Sequence, residues 1–240
     1  MYSRHYIRRR FRSVRVLKCG MPQLDYRPVV IYLNHASWWD PLVCLLLARE
    51  FLADRHSFAP IDAKMLPRYR FLRHLGFFPV ESNTHRGALT FLRTSHAIIA
   101  SSGNALWLTP QARFVDVRER PLHLQDGLGI LAASRPDVAF VPLAIEYSFW
   151  TEPQPEVLVS FGRKLIPATS AAKSGAEWTE IFSKRLEETQ DMLAKHSVRR
   201  QGADWTTLAR GKEGIHTGYD AWRWLRAAIR AEKFSRRHQA

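Results

Sequence analysis

At 240 residues, with 46% hydrophobic, 12% aromatic and 24% charged side chains, the chain holds enough apolar material for one substantial core. It excludes a disordered or solenoid-repeat protein. The 36 Lys and Arg against 22 Asp and Glu leave a net charge of +14, which predicts attraction to a polyanion, either nucleic acid or an anionic lipid surface. Two cysteines, Cys19 and Cys44, exclude a disulfide framework and fit a reducing, intracellular compartment.

In the opening segment Tyr2, Tyr6, Ile7, Phe11, Val14 and Leu17 recur mostly three or four residues apart, with arginines between them, which predicts a basic amphipathic helix. Such a helix either lies in a bilayer interface with its guanidinium groups on phosphates or docks on the protein's own core, and the pattern serves both. No uninterrupted apolar run follows the basic start, so a secretory signal is not expected. Val29 to Leu33 reads as a strand buried on both faces. Asp40-Pro41 then predicts a helix start, Asp40 at the N-cap and proline at the first helical position, leading into a buried helix over Leu42 to Phe51. The apolar run Pro41 to Ala48 stops at Arg49-Glu50, far short of the roughly 20 residues that a spanning helix needs.

Short strands are expected at Ser57 to Ile61 and Gly76 to Val80, and a helix from Arg86 to Ser102 with Leu89, Leu92 and Ile99 on one face. Ala105 to Thr109 is a strand feeding a loop at Pro110, and Gly127 to Ser134 is helical. Val138 to Tyr147 is a long strand whose Pro142 predicts an edge position or a bulge, and Glu156 to Phe161 alternates like a strand beside solvent. Trp178 to His196 is an amphipathic helix, and a second basic helix carries Trp222, Leu225 and Ile229 on one stripe, with the same two readings as the first. Alternating strands and helices predict an α/β single domain with a mainly parallel central sheet flanked by helices, plus basic amphipathic terminal helices. The divisions fall at 1–24, 25–198 and 199–240.

The chemistry concentrates in Asn34-His35-Ala36-Ser37-Trp38-Trp39-Asp40. His35 stands just past the carboxyl end of a core strand, where open α/β sheets place ligand sites. On a continuous helix, residues five apart point roughly 140° apart; with the helix beginning only at Pro41, the turn can bring Asp40 back to His35. A carboxylate on one ring nitrogen fixes the tautomer and leaves the other nitrogen free to take a proton from a hydroxyl. Asp40 as a plain helix cap accounts for the same residue.

The same seven residues resemble the N-H-x-S-x-x-D motif of the glycerolipid acyltransferase superfamily, to which bacterial 1-acylglycerol-3-phosphate acyltransferases belong. Later blocks are similar in order: Gly76 to Val80, Leu106 to Gln111, Gln125 to Ala132, Phe140 to Ile145 and Glu156 to Gly162, so that the resemblance covers about residues 25 to 196. It implies that His35, held by Asp40, deprotonates an acceptor hydroxyl that attacks the thioester of acyl-CoA or acyl carrier protein directly, with no metal, no cofactor and no acyl-enzyme. Asn34, Ser37, Arg86, Gln111 and Arg113 are the implied substrate contacts. The implied partners are a membrane lipid acceptor and an anionic membrane surface rather than nucleic acid, for a peripheral or monotopic protein on the cytoplasmic face.

The chain departs from the family pattern in two places. Ser82 stands where the second block carries an arginine, and Gln111-Ala112-Arg113-Phe114 replaces E-G-T-R in the third. Family arginines there are thought to fork onto the acceptor's phosphate; Arg86 and Arg113 are either displaced substitutes or surface charge. The acceptor is therefore a lysophospholipid-type lipid or one without phosphate, such as a glycolipid or carotenoid glycoside. Trp38 and Trp39 either line an acyl groove or pack the core. A basic nucleic-acid-binding protein and a catalytically silent membrane partner are the alternatives of another class.

Overall fold

The computed structural model describes residues 2–150 and 152–211. The second basic helix, around Trp222, lies outside them. In chain order the elements are α1 (Tyr2–Arg10), β1 (Ser13–Leu17), β2 (Val29–Leu33), α2 (Asp40–Phe51), β3 (His56–Asp62), β4 (Phe77–Val80), α3 (His85–Ile98), β5 (Asn104–Leu108), α4 (Gly127–Ser134), β6 (Ala139–Ser148), β7 (Glu156–Phe161), α5 (Gly175–Arg199) and β8 (Trp205–Arg210). The strands form one sheet in the order β4-β3-β5-β2-β6-β7-β1-β8. The pairs from β4 through β6 are parallel, as is β7 with β1; β6 with β7 and β1 with β8 are antiparallel. This is the mainly parallel α/β architecture that alternating elements predict, and no helix among the described residues is long and apolar enough to cross a membrane.

Period-two alternation explains why β2 is apolar throughout. Val29, Ile31 and Leu33 point into one core with α1 and α2, while Val30 and Tyr32 point into the other with α3, α4 and α5. The sheet is thus sandwiched at its centre, where β2 is buried on both faces.

Several expectations change. The opening helix ends at Arg10, and Val14 and Leu17, read as part of its stripe, lie instead on β1 between β7 and β8, where Val14 shares a face with Val16. Two β-branched residues two apart suit a pleat better than a helix. At nine residues α1 is too short to be stable alone. It is held by Ile7 and, just beyond its end, Phe11, both buried in the α2-side core at roughly 2 kcal/mol each.

β7 is not beside solvent: β6 and β1 flank it, and Val157 to Phe161 are buried. Pro142 lies in the central strand β6 rather than at an edge. Its missing N–H falls where β7 departs, since Gly162 N–H donates to the Pro142 carbonyl, Phe140 next bridges Leu165, and Arg163 and Lys164 together stand opposite Val141. That extra residue is a bulge, the second of the two readings of Pro142, and it is how a central strand tolerates proline. Past Arg199, β8 adds a strand to the sheet beside β1, so the sheet continues beyond residue 198.

Candidate functional site

β2 leaves the sheet after Leu33, and the next residue makes that exit possible. The Asn34 amide donates to the Ile145 carbonyl at 3.0 Å and accepts from the Ile145 N–H at 2.9 Å. The side chain continues the ladder that ends at the Leu33–Leu143 pair, so the backbone turns away without orphaning a buried peptide. Asn34, expected at the substrate, is 1% exposed and committed to the scaffold. Asn34→Ala leaves two buried groups unpaired at about 1–3 kcal/mol each, so its Tm is expected to fall by roughly 10 °C; an unchanged melt would show that the clamp contributes nothing.

His35 is fixed by its backbone. Its N–H donates to Gln111 Oε1 at 3.0 Å and its carbonyl accepts from Val115 N–H at 2.8 Å, tying it to the loop that follows β5. Its ring Nδ1 lies 2.7 Å from Asp40 Oδ2. Asp40, 1% exposed, accepts further from Ser37 N–H at 3.0 Å on Oδ2 and from the Tyr147 hydroxyl at 2.6 Å on Oδ1. Donation to a carboxylate puts the ring proton on Nδ1 and leaves Nε2 as the acceptor. No described residue bonds that nitrogen, and the His35 side chain is 19% exposed.

Asp40 is not a helix cap. Trp39 takes the cap position, and its carbonyl accepts from Leu42 and Val43. The Asp40 side chain turns back across a tight turn in which Asp40 N–H bonds the Ser37 carbonyl and Trp39 N–H bonds Ser37 Oγ. Pro41 requires no acceptor. The carboxylate is thus released from capping and faces the imidazole.

Tyr147 is the participant that sequence reasoning missed. It stands near the end of β6, and a parallel neighbour of β2 necessarily ends at the same sheet edge, which was the available signal. Burial and then the Asp40 charge push its phenol far above the ordinary value, so it stays a donor to the carboxylate. Cys44, on the same helix as Asp40, has its thiol raised well above normal by desolvation first and Asp40 second, which makes it a poor nucleophile.

The two tryptophans divide. Trp39 packs against Tyr6 and Phe11 at 5.6 and 5.0 Å between ring centroids, and Phe11 reaches Tyr147 at 5.8 Å, so α1 braces the site from within the fold. Trp38 is 65% exposed. Phe114, 58% exposed, lies with its ring centroid 4.2 Å from that of His35, an aromatic wall beside the imidazole.

The remaining predicted contacts scatter. Ser37 shapes the turn. Gln111 is buried and spent on His35 N–H. Arg113 is exposed and ion-paired with Glu119 at 2.5 Å. Arg86 opens α3 after β4, three strands or roughly 14 Å of sheet from β2. An open groove of about 430 Å³ between Pro121 to Asp126 and α5 contains none of these residues.

Ala112 has φ 53°, a left-handed conformation where the third block usually supplies glycine. The strain of about 1–2 kcal/mol outweighs the entropy that glycine loses on folding. Ala112→Gly is expected to stabilise by about 1 kcal/mol, raising Tm by roughly 3 °C in a thermal melt; a lower Tm would refute the strain.

A family model described as Acyltransferase matches residues 8–146, a span that holds His35, Asp40 and Gln111 and ends one residue before Tyr147. A search of curated proteins finds no match.

Proposed function

This chain belongs to the acyltransferase family, and from that premise we propose that it transfers an acyl chain from a thioester, acyl-CoA or acyl carrier protein, to a hydroxyl of a lysophospholipid-type acceptor at a membrane surface. The observation that carries the reading is the 2.7 Å contact between His35 Nδ1 and a buried carboxylate, with Nε2 unbonded by any described residue. In the proposed step the acceptor hydroxyl gives its proton to Nε2 as its oxygen bonds the thioester carbonyl carbon. The tetrahedral adduct then collapses, the carbon–sulfur bond breaks, and the thiolate takes the proton back from the ring. His35 is the base in the attack and the acid in the collapse, and Asp40 compensates the positive charge that develops on it between the two. Ser37 and Tyr147 hold Asp40, and Gln111 holds His35.

Exposed Trp38 and Phe114 support an acyl chain passing the base on the apolar side of the site. A second acceptor, a glycolipid or carotenoid glycoside without phosphate, is favoured by one observation: Arg113 is already paired with Glu119, and Arg86 stands well away along the sheet. Incubating the purified protein with a labelled acyl thioester and a total lipid extract separates these. A labelled glycerophospholipid supports the first acceptor and a labelled glycolipid the second; no labelled lipid with any extract would remove the enzymatic reading.

A further inference from the structure

β3 and β4 are parallel neighbours, yet the crossover between them holds no α-helix. It consists of residues 63–76 and includes a 3-10 helix, Arg70–Leu75, none of whose residues is buried. Leu66 is sunk into the fold and anchors the segment, and Gly76, at φ 85° against the Ser57 carbonyl, closes it where any side chain would clash. The rest faces outward: Met65, Phe71 and Leu75 are exposed large apolar side chains, and Lys64, Arg68, Arg70 and Arg73 are exposed cations. Between Asp62 and Glu81 the chain carries no acidic residue. Arg68 lies over the Tyr69 ring, which meets Phe71 edge to face.

A crossover whose only role is to join two strands does not need three unburied apolar side chains among four cations. That mixture is what an anionic bilayer surface binds, the apolar groups entering the acyl boundary and the cations lying on headgroup phosphates. The segment leaves β3 at the carboxyl edge, the edge where His35 follows β2 two strands away. A right-handed crossover places it on the face of the sheet that α2 covers, together with the exposed Arg8 to Arg10 of α1. We propose that residues 64–75 dock the protein on an anionic bilayer, bringing the carboxyl edge of the sheet to the lipid headgroups. This deepens the membrane-surface reading and is separable from the acyl-transfer reading.

The test is flotation of the full chain with phosphatidylcholine vesicles, with and without an equal amount of phosphatidylglycerol. The wild-type protein should float with the anionic vesicles, and salt should release only part of it. Two variants isolate the surface: Arg68→Gln/Arg70→Gln/Arg73→Gln, which touches only exposed groups, and Met65→Ser/Phe71→Ser/Leu75→Ser. The first should bind about 100-fold more weakly, the second should lose salt-resistant binding, and both should keep the wild-type melt. Wild-type flotation by the arginine variant overturns the proposal, as does retention of the wild-type protein on duplex DNA but not on anionic vesicles. Vesicle binding without any acyl transfer leaves this surface standing and removes the enzymatic reading; transfer to a dispersed acceptor with no vesicle binding does the reverse.

Discussion

Replacing His35 with alanine is expected to lower acyl transfer about a thousandfold, within the 10²–10⁴ that a positioned general base contributes, while the melt stays close to wild type. The two effects separate because of where the residue is held. Its backbone bonds to Gln111 and Val115 survive the substitution, so the turn and the loop after β5 remain in register. The imidazole is 19% exposed, and when it is gone Asp40 still accepts from the Ser37 N–H and the Tyr147 hydroxyl. What is lost is the nitrogen to which the proposed mechanism sends the acceptor's proton. Thiol release from an acyl thioester in the presence of the lipid acceptor reads the rate, and vesicle flotation of the same variant reads its surface. A wild-type rate in His35→Ala would mean that the proton goes elsewhere and that the 2.7 Å contact is structural.

The parts of this site that were legible in the sequence are those specified by neighbours in the chain. The run Val29 to Leu33 declares a strand buried on both faces, Asp40-Pro41 declares a helix start, and the interval between them is short enough that only a turn can lie there. The parts that were not legible depend on partners more than 100 residues away. Asn34 reads like a polar group offered to a ligand, and only the position of Ile145 shows it to be a substitute for backbone. Tyr147 reads as the end of an apolar strand until the parallel pairing of β2 with β6 brings it to Asp40. The error at Val14 and Leu17 is of another kind, because both continue a three-residue spacing from Phe11, and a strand inserted between β7 and β8 is settled by long-range pairing that no local period reports. At α5 a local signal was present: Ser174 and Glu177 form a reciprocal capping box that starts the helix at Gly175, ahead of the apolar stripe at Trp178.

Asp40→Asn should lower transfer by about 100-fold, a smaller loss than removing the base, because here the amide cannot reverse the tautomer. Two fixed donors reach the Oδ2 position, the His35 ring and the Ser37 backbone N–H. The backbone donor cannot become an acceptor, so the amide oxygen of asparagine must face it, and the His35 Nδ1–H keeps its partner. The amide nitrogen then faces the Tyr147 hydroxyl, which can rotate and accept. Geometry and tautomer survive, and only the negative charge opposite the developing imidazolium is gone, so the residual rate isolates the electrostatic share of the dyad. Asp40→Ala differs on both counts. It leaves the Ser37 N–H and the Tyr147 hydroxyl without their acceptor in a buried site, at about 1–3 kcal/mol each, and it frees the ring to turn, so its rate should approach that of His35→Ala and its Tm should fall. Tyr147→Phe removes a donor to Oδ1 but keeps the charge, and should cost less than either. Because the carboxylate acts only through the imidazole, adding Asp40→Asn to His35→Ala should lower the rate no further. A full additional loss in the double variant would place Asp40 in direct contact with the reacting atoms, and a wild-type rate in Asp40→Asn would reduce it to a fastening of the turn.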